Sequence, residues 1–220
     1  MRPLRLAFIA AFLVAGLANA APLEPRNGAE FTTLAAPQAT QATGKKVEVI
    51  EFFAYHCGAC NAFEPALVEW AKKQGDNIVM RRIPLPFQGP LDPEARLFLT
   101  LQAMGELDKY HHRVFRAVHV ERKRLMKEDE IIAWAAVNGL DKARFLDAWN
   151  SFGVQSQLKR LAQLGTAYKV SGTPTVVIDG KYVTSPDAVW KANKLEDTEA
   201  LLSATTQVLD ALVARAAAGK

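Results

Sequence analysis

The sequence predicts an α/β domain interrupted by a helical insertion. Three observations carry this: a nearly continuous β-branched and aromatic run at residues 47–54, helical periodicities concentrated in residues 91–168, and a return to strand patterning around an Asp-Gly pair. An apolar run that does not alternate fits a strand covered on both faces, as in α/β sheets.

Residues 21–46 are rich in Ala, Pro, Thr, Gln and Gly and read as an extended N-terminal segment, with only Glu30 to Leu34 resembling a short strand. Val47 to Ala54 is the first full strand. Cys57 to Gln74 follows, with Phe63, Leu67, Trp70 and Ala71 at helical spacing and Gly75 as its stop, while Pro65, which removes one backbone donor, is expected to kink it. Ile78 to Pro84 predicts a second strand, completing a strand-helix-strand unit. Helices are expected over Ala95 to Met104, Tyr110 to His119, Glu128 to Asn138, Lys142 to Asn150 and Val154 to Tyr168. Thr175 to Ile178 and Lys181 to Thr184 flank Asp179-Gly180, a two-residue hairpin signal. A last amphipathic helix is expected over about Asp197 to Ala217. The organisation is residues 47–90 and 169–220 as the α/β domain, with residues 91–168 as the insertion.

Residues 1–20 read as a secretory signal peptide. Arg2 and Arg5 precede an apolar run, Leu6 to Ala18, that ends in the small-x-small pattern Ala18-Asn19-Ala20. At 13 residues this run is short of the ~20 needed to span a bilayer. Loss of Arg2 and Arg5 takes the formal charge of the 220-residue chain from +4 to +2, so no nucleic-acid partner is indicated. The basic run Glu121 to Arg124 is interrupted and followed by acids and reads as a solvated helix face. The composition, 50% hydrophobic and 23% charged, is that of an ordinary globular protein.

An exported chain commonly uses cysteines as cross-links, yet only Cys57 and Cys60 are present and two residues separate them. They cannot staple distant segments. At a helix start they can close and reopen a small disulfide ring, and the unpaired N–H groups there favour a thiolate. Cys57 is therefore the expected exposed nucleophile and Cys60 the resolving thiol. The bland alternatives are half of a zinc site or two idle thiols, and zinc would need two further ligands. Glu51, a carboxylate inside an apolar strand, is either a solvated edge residue or a buried acid of raised pKa able to accept the proton of Cys60. His56, beside Cys57, can favour its thiolate or be incidental. His111, His112 and His119 read as surface residues, and no metal or cofactor is indicated.

Two segments together, Glu51-Phe52-Phe53-Ala54-Tyr55-His56-Cys57-Gly58-Ala59-Cys60 and Val170-Ser171-Gly172-Thr173-Pro174-Thr175, resemble the DsbA family of periplasmic disulfide oxidases. The likeness spans about residues 27–215. It implies a thioredoxin-like fold with an inserted helical domain, Pro174 in a cis bond beside the cysteines, and the backbone at Thr173 pairing with substrate. It also implies a periplasmic protein that oxidises unfolded exported proteins and is reoxidised by a DsbB-like quinone-linked membrane oxidase; a monomer is expected. One departure stands out: the best-known members carry Pro-His between the cysteines, where this chain has Gly58-Ala59. That leaves room for a reductase or isomerase of the same fold; a metal- or peptide-binding module without turnover is a separate alternative. Isomerases of this compartment resemble dimers built on a separate N-terminal domain, for which the 26 residues from Ala21 to Lys46 are too few.

Overall fold

The computed structural model describes residues 24–220, so the segment read as a signal peptide lies outside the described residues. Its centre is strand β2 (Val47–Phe53), every residue of which is buried. Helix α1 (Gly58–Gln74) follows, then a short 3-10 turn at Gly75–Asn77 and strand β3 (Ile78–Pro84), which lies parallel to β2 with Ile50 opposite Arg81 and Glu51 opposite Arg82. After the insertion come β4 (Thr175–Ile178) and β5 (Tyr182–Thr184), both antiparallel additions. The short strand β1 (Phe31–Thr33) pairs with β5, giving the order β1-β5-β4-β2-β3.

The non-alternating pattern of β2 has a simple cause. Val47 and Val49 pack with Phe63, Leu67 and Trp70 of α1 and with Val208, Leu209 and Leu212 of α8 (Thr198–Ala218). Ile50, Phe52 and Phe53 pack against the insertion: α2 (Pro93–Ala103), α3 (Leu107–His119), α4 (Glu128–Val137), α5 (Lys142–Asn150) and α6 (Phe152–Ala167). Water is thus excluded from both faces of the strand, and each buried apolar side chain contributes about 1.5–3 kcal/mol of transfer free energy. The hairpin turns at Asp179-Gly180, both at positive φ, but Ile178 pairs with Tyr182, so the loop has three residues rather than the two expected and Lys181 lies outside β5.

Further expectations are corrected. The run Glu121 to Arg124 is solvated but lies in the loop between α3 and α4, with Arg122 at φ 58°, and is no helix face. His111 is buried, because α3 packs a wide face of Tyr110, His111, Val114 and Phe115 inward. An additional helix, α7 (Pro186–Asn193), follows β5; Ser185 caps it by accepting from the Ala188 N–H, and Pro186 opens it. Helix α1 runs unbroken through Pro65.

Candidate active site

The chain leaves β2 through a four-residue turn, Ala54 to Cys57, closed by the Cys57 N–H donating to the Ala54 carbonyl at 3.2 Å. Tyr55 and His56 are its corners. Cys57 is the N-cap of α1, with extended backbone, and its Sγ accepts from the Cys60 N–H at 3.3 Å. A helix N-terminus leaves its first amide donors unpaired, and here a sulfur takes the place usually filled by a hydroxyl or carboxylate oxygen. Cys57 is half-buried, Cys60 fully buried, and both are free thiols.

A second loop closes over the sulfur. The Thr173 carbonyl lies 3.4 Å from Cys57 Sγ, which donates to it as a thiol, and the Thr173–Pro174 bond is cis. Thr175 Oγ1 braces this loop by donating to the Gly172 carbonyl at 2.8 Å. Pro174 is buried and has no N–H to offer the sulfur. The Cys57 pKa is pulled down to about 5: the Cys60 thiol donates to it, the Thr173 side chain contributes, and the Cys60 and Ala59 amides add to this against the opposing effect of burial. The Cys60 thiol moves the other way, since its proton is held by the Cys57 sulfur and burial disfavours its charge. Two adjacent thiols with opposed proton affinities are what a nucleophile and a leaving or resolving group require.

Glu51 is 1% exposed, which removes the solvated-edge alternative. Its Oε2 accepts from Arg82 Nε at 3.1 Å, while Oε1 is buried without a partner. Burial and the neighbouring Glu64 carboxylate raise its pKa to about 8 in spite of the Arg82 cation. Arg82 also donates to Glu64 Oε1 at 2.9 Å, so two carboxylates share one guanidinium. His56 turns away from the sulfur: its Nδ1 is 2.6 Å from Glu94 Oε2 and its N–H donates to the same oxygen at 3.2 Å. The Glu94 hydrogen bond raises the His56 pKa and outweighs the desolvation that lowers it.

Sequence reading alone did not single out Glu94, Arg82, Glu64, His111 or His119. The arginine had a signal: Glu48 and Glu51 in a buried strand call for partners, and Arg81 and Arg82 stand opposite Ile50 and Glu51 in the parallel neighbour. Glu94, in the first turn of α2, looks like an ordinary dipole-favoured acid. Beside His56, Phe87 is 52% exposed, and Leu91 of the same loop is 65% exposed. Their loop is shaped by the Asp92 carboxylate, which accepts from the N–H groups of Phe87, Gln88 and Ala95. Among the described residues there is no group of three or more His, Cys, Asp or Glu that could hold a metal ion, and no helix long and apolar enough to cross a membrane.

Residues 48–203 match the DSBA-like thioredoxin domain family. The thiol:disulfide interchange protein DsbA of Burkholderia cepacia is 41% identical over 174 residues, covering 79% of this chain and 82% of that one. The protein of the same name from Bordetella parapertussis is 39% identical over 178 residues, 81% of this chain and 85% of that one. The crystal structure of Pseudomonas aeruginosa DsbA superposes with a TM-score of 0.75 at 35% identity, over 88% of this chain and 96% of that chain.

Proposed function

The chain belongs to the DSBA-like thioredoxin domain family, whose members are thiol:disulfide oxidoreductases acting in disulfide bond formation, and on that premise we propose that its own Cys57–Cys60 disulfide is the oxidant. A substrate thiolate attacks Cys57 Sγ. The substrate–Cys57 bond forms as the Cys57–Cys60 bond breaks, and Cys60 leaves with the electron pair. A second substrate thiolate then attacks the substrate sulfur of the mixed disulfide and expels Cys57 as a thiolate. Two electrons pass from the substrate dithiol to the cysteine pair.

The observation that carries this assignment is the placement of Cys57 Sγ between the Cys60 N–H, at 3.3 Å, and the Thr173 carbonyl, at 3.4 Å. The amide stabilises the departing Cys57 thiolate, and low basicity makes it the better leaving group in the last step. Glu51 supplies the proton to Cys60 as it is reduced and takes it back on reoxidation, its raised pKa matching neutral conditions. The Glu94 hydrogen bond favours the protonated form of His56, the residue next to Cys57 in the turn. Thr173 offers its backbone to an extended substrate, and Pro174 lines the sulfur with a ring. The substrates are unfolded exported proteins in the periplasm and the oxidant that regenerates the pair is a DsbB-like quinone-linked membrane oxidase, two readings that rest on the family resemblance; the working unit is a monomer.

The test is trapping. Cys60→Ala should accumulate mixed disulfides through Cys57, while Cys57→Ala should form none and lose exchange altogether. Adducts on Cys57→Ala with none on Cys60→Ala would invert the roles.

A further inference from the structure

Tyr55 and His56 are joined by the central peptide of the turn that presents Cys57, and side chains of the helical insertion hold both ends of that peptide. Its carbonyl, from Tyr55, accepts from His119 Nε2 on α3 at 2.7 Å. Its N–H, from His56, donates to Glu94 Oε2 on α2 at 3.2 Å. The peptide is planar, with the C=O and N–H on opposite sides, so neither group can rotate without breaking the bond made by the other. In a four-residue turn this central plane is the one that flips between the two commonest turn types; a flip would turn the Tyr55 carbonyl to the other side and drive His56, whose φ is not positive here, to positive φ just before the chain enters α1. The residue reached on leaving it here is Cys57.

The grip on Tyr55 is double. Its hydroxyl is 2.9 Å from His111 Nδ1, also on α3. The ring of Phe115 lies between the two histidines, 5.1 Å from Tyr55, 5.2 Å from His111, and stacked on His119 at 6.1 Å. Closing the turn needs only the Cys57 N–H to Ala54 bond. The contacts from α2 and α3 are additional to it, and they come from segments far from the cysteines in sequence.

We propose that His119 is a positioning residue for the exchange reaction: by holding the Tyr55–His56 peptide plane it fixes Cys57 at the N-terminus of α1, with its sulfur against the Cys60 N–H. The inference rests on the reading of Cys57 as nucleophile. It gives the helical insertion a part in the chemistry, as the element that sets the turn.

The experiment uses three variants of the full chain, read by thiolate absorbance against pH and by the rate at which the reduced protein attacks a small aromatic disulfide. His119→Phe keeps a ring on Phe115 but donates nothing to the Tyr55 carbonyl. It should raise the Cys57 pKa by about one unit, a tenfold loss of thiolate below that pKa, and slow the attack. His119→Gln, whose amide can donate to the same carbonyl, should restore both. A folded His119→Phe with the wild-type pKa and rate overturns the proposal, as does a His119→Gln that rescues neither. Should His119→Phe fail to fold, His119→Ala is judged by the same readouts, because His119 is only partly buried. A wild-type protein with no low-pKa thiolate would instead refute the reading of Cys57, and that titration precedes every His119 variant.

Discussion

Glu51 holds a proton at pH values where an exposed carboxyl has lost it. Its pKa rises from 4.5 to about 8 on burial beside Glu64, so the folded state binds more protons than the unfolded state between those values. Stability from this group is therefore fully present below about 4.5 and is lost as the pH rises through about 8. Glu51→Gln, neutral throughout, should flatten that part of the stability profile, seen as a denaturation midpoint that falls less between pH 5 and 8 than in the wild type. The same variant should slow the step that protonates Cys60 by on the order of a hundredfold; an unchanged rate would leave Glu51 a purely structural acid. Glu51 was visible in the sequence as a charge within an apolar strand, and Cys57, Cys60 and Pro174 were visible because their motifs are local. Glu94, His111 and His119 were not, because each reaches the turn through the packing of another helix and a side chain's spacing along its own helix does not say which backbone carbonyl it will meet. Surface and inward histidines of α3 differ only in which side the sheet covers.

At the scale of elements, the first turn of α1 has room for a different composition. Gly58 is the first residue of the helix, its φ is not positive, and a Cβ built there meets nothing within 4 Å. Proline is tolerated at this position, where its missing N–H is unpaired in any case. Replacing Gly58-Ala59 by Pro-His should therefore fold, and the added imidazole should stabilise the Cys57 thiolate and raise the reduction potential, ~30 mV for every ~1.4 kcal/mol. A glutathione titration reads this, and a potential that stays fixed while the Cys57 pKa drops would separate oxidising power from thiolate stability. The hairpin turn has no such room. Gly180 has φ 63°, and a Cβ there would lie 2.1 Å from the Gln38 carbonyl oxygen, so Gly180→Ala should cost about 1–3 kcal/mol in chemical denaturation. That close approach comes from the N-terminal segment, whose Gln38 N–H donates to the Gly180 carbonyl at 2.8 Å. The bounds of β2, β3, β4 and α5 were legible because long or sharply punctuated patterns define them. Helix α7 was not, since of its apolar side chains only Val189 and Pro186 are buried and the Ser185-Pro186 start signal stands without a periodic stripe behind it.

For the whole molecule, the thiolate at Cys57 couples redox state to folding. A folded pKa of about 5 against an ordinary value of 9.0 stabilises the reduced protein fully above about 9, by less as the pH falls from there, and not at all once it passes below about 5. The disulfide form has no such group to ionise. The reduced protein should thus melt above the oxidised one at pH 7 by a margin that shrinks on acidification to pH 5, measured by calorimetry on both forms. A margin constant with pH would place the origin of any difference elsewhere than in the thiolate. The sheet order has a separate consequence, in time. Strand β2 is made early, but its neighbour β4, with Val49 opposite Ile178, comes from near the far end of the chain, and β1 waits for β5. During N-to-C synthesis the strand-helix-strand unit bearing both cysteines emerges with one edge of its central strand bare, and with no Thr173 carbonyl or Pro174 ring over the sulfur. Non-local pairings of this kind close late because they carry the largest loop-closure entropy. The pair is therefore assembled as a site only when almost the whole polypeptide has been delivered, and a chain cut short before residue 173 carries its cysteines as two uncovered thiols.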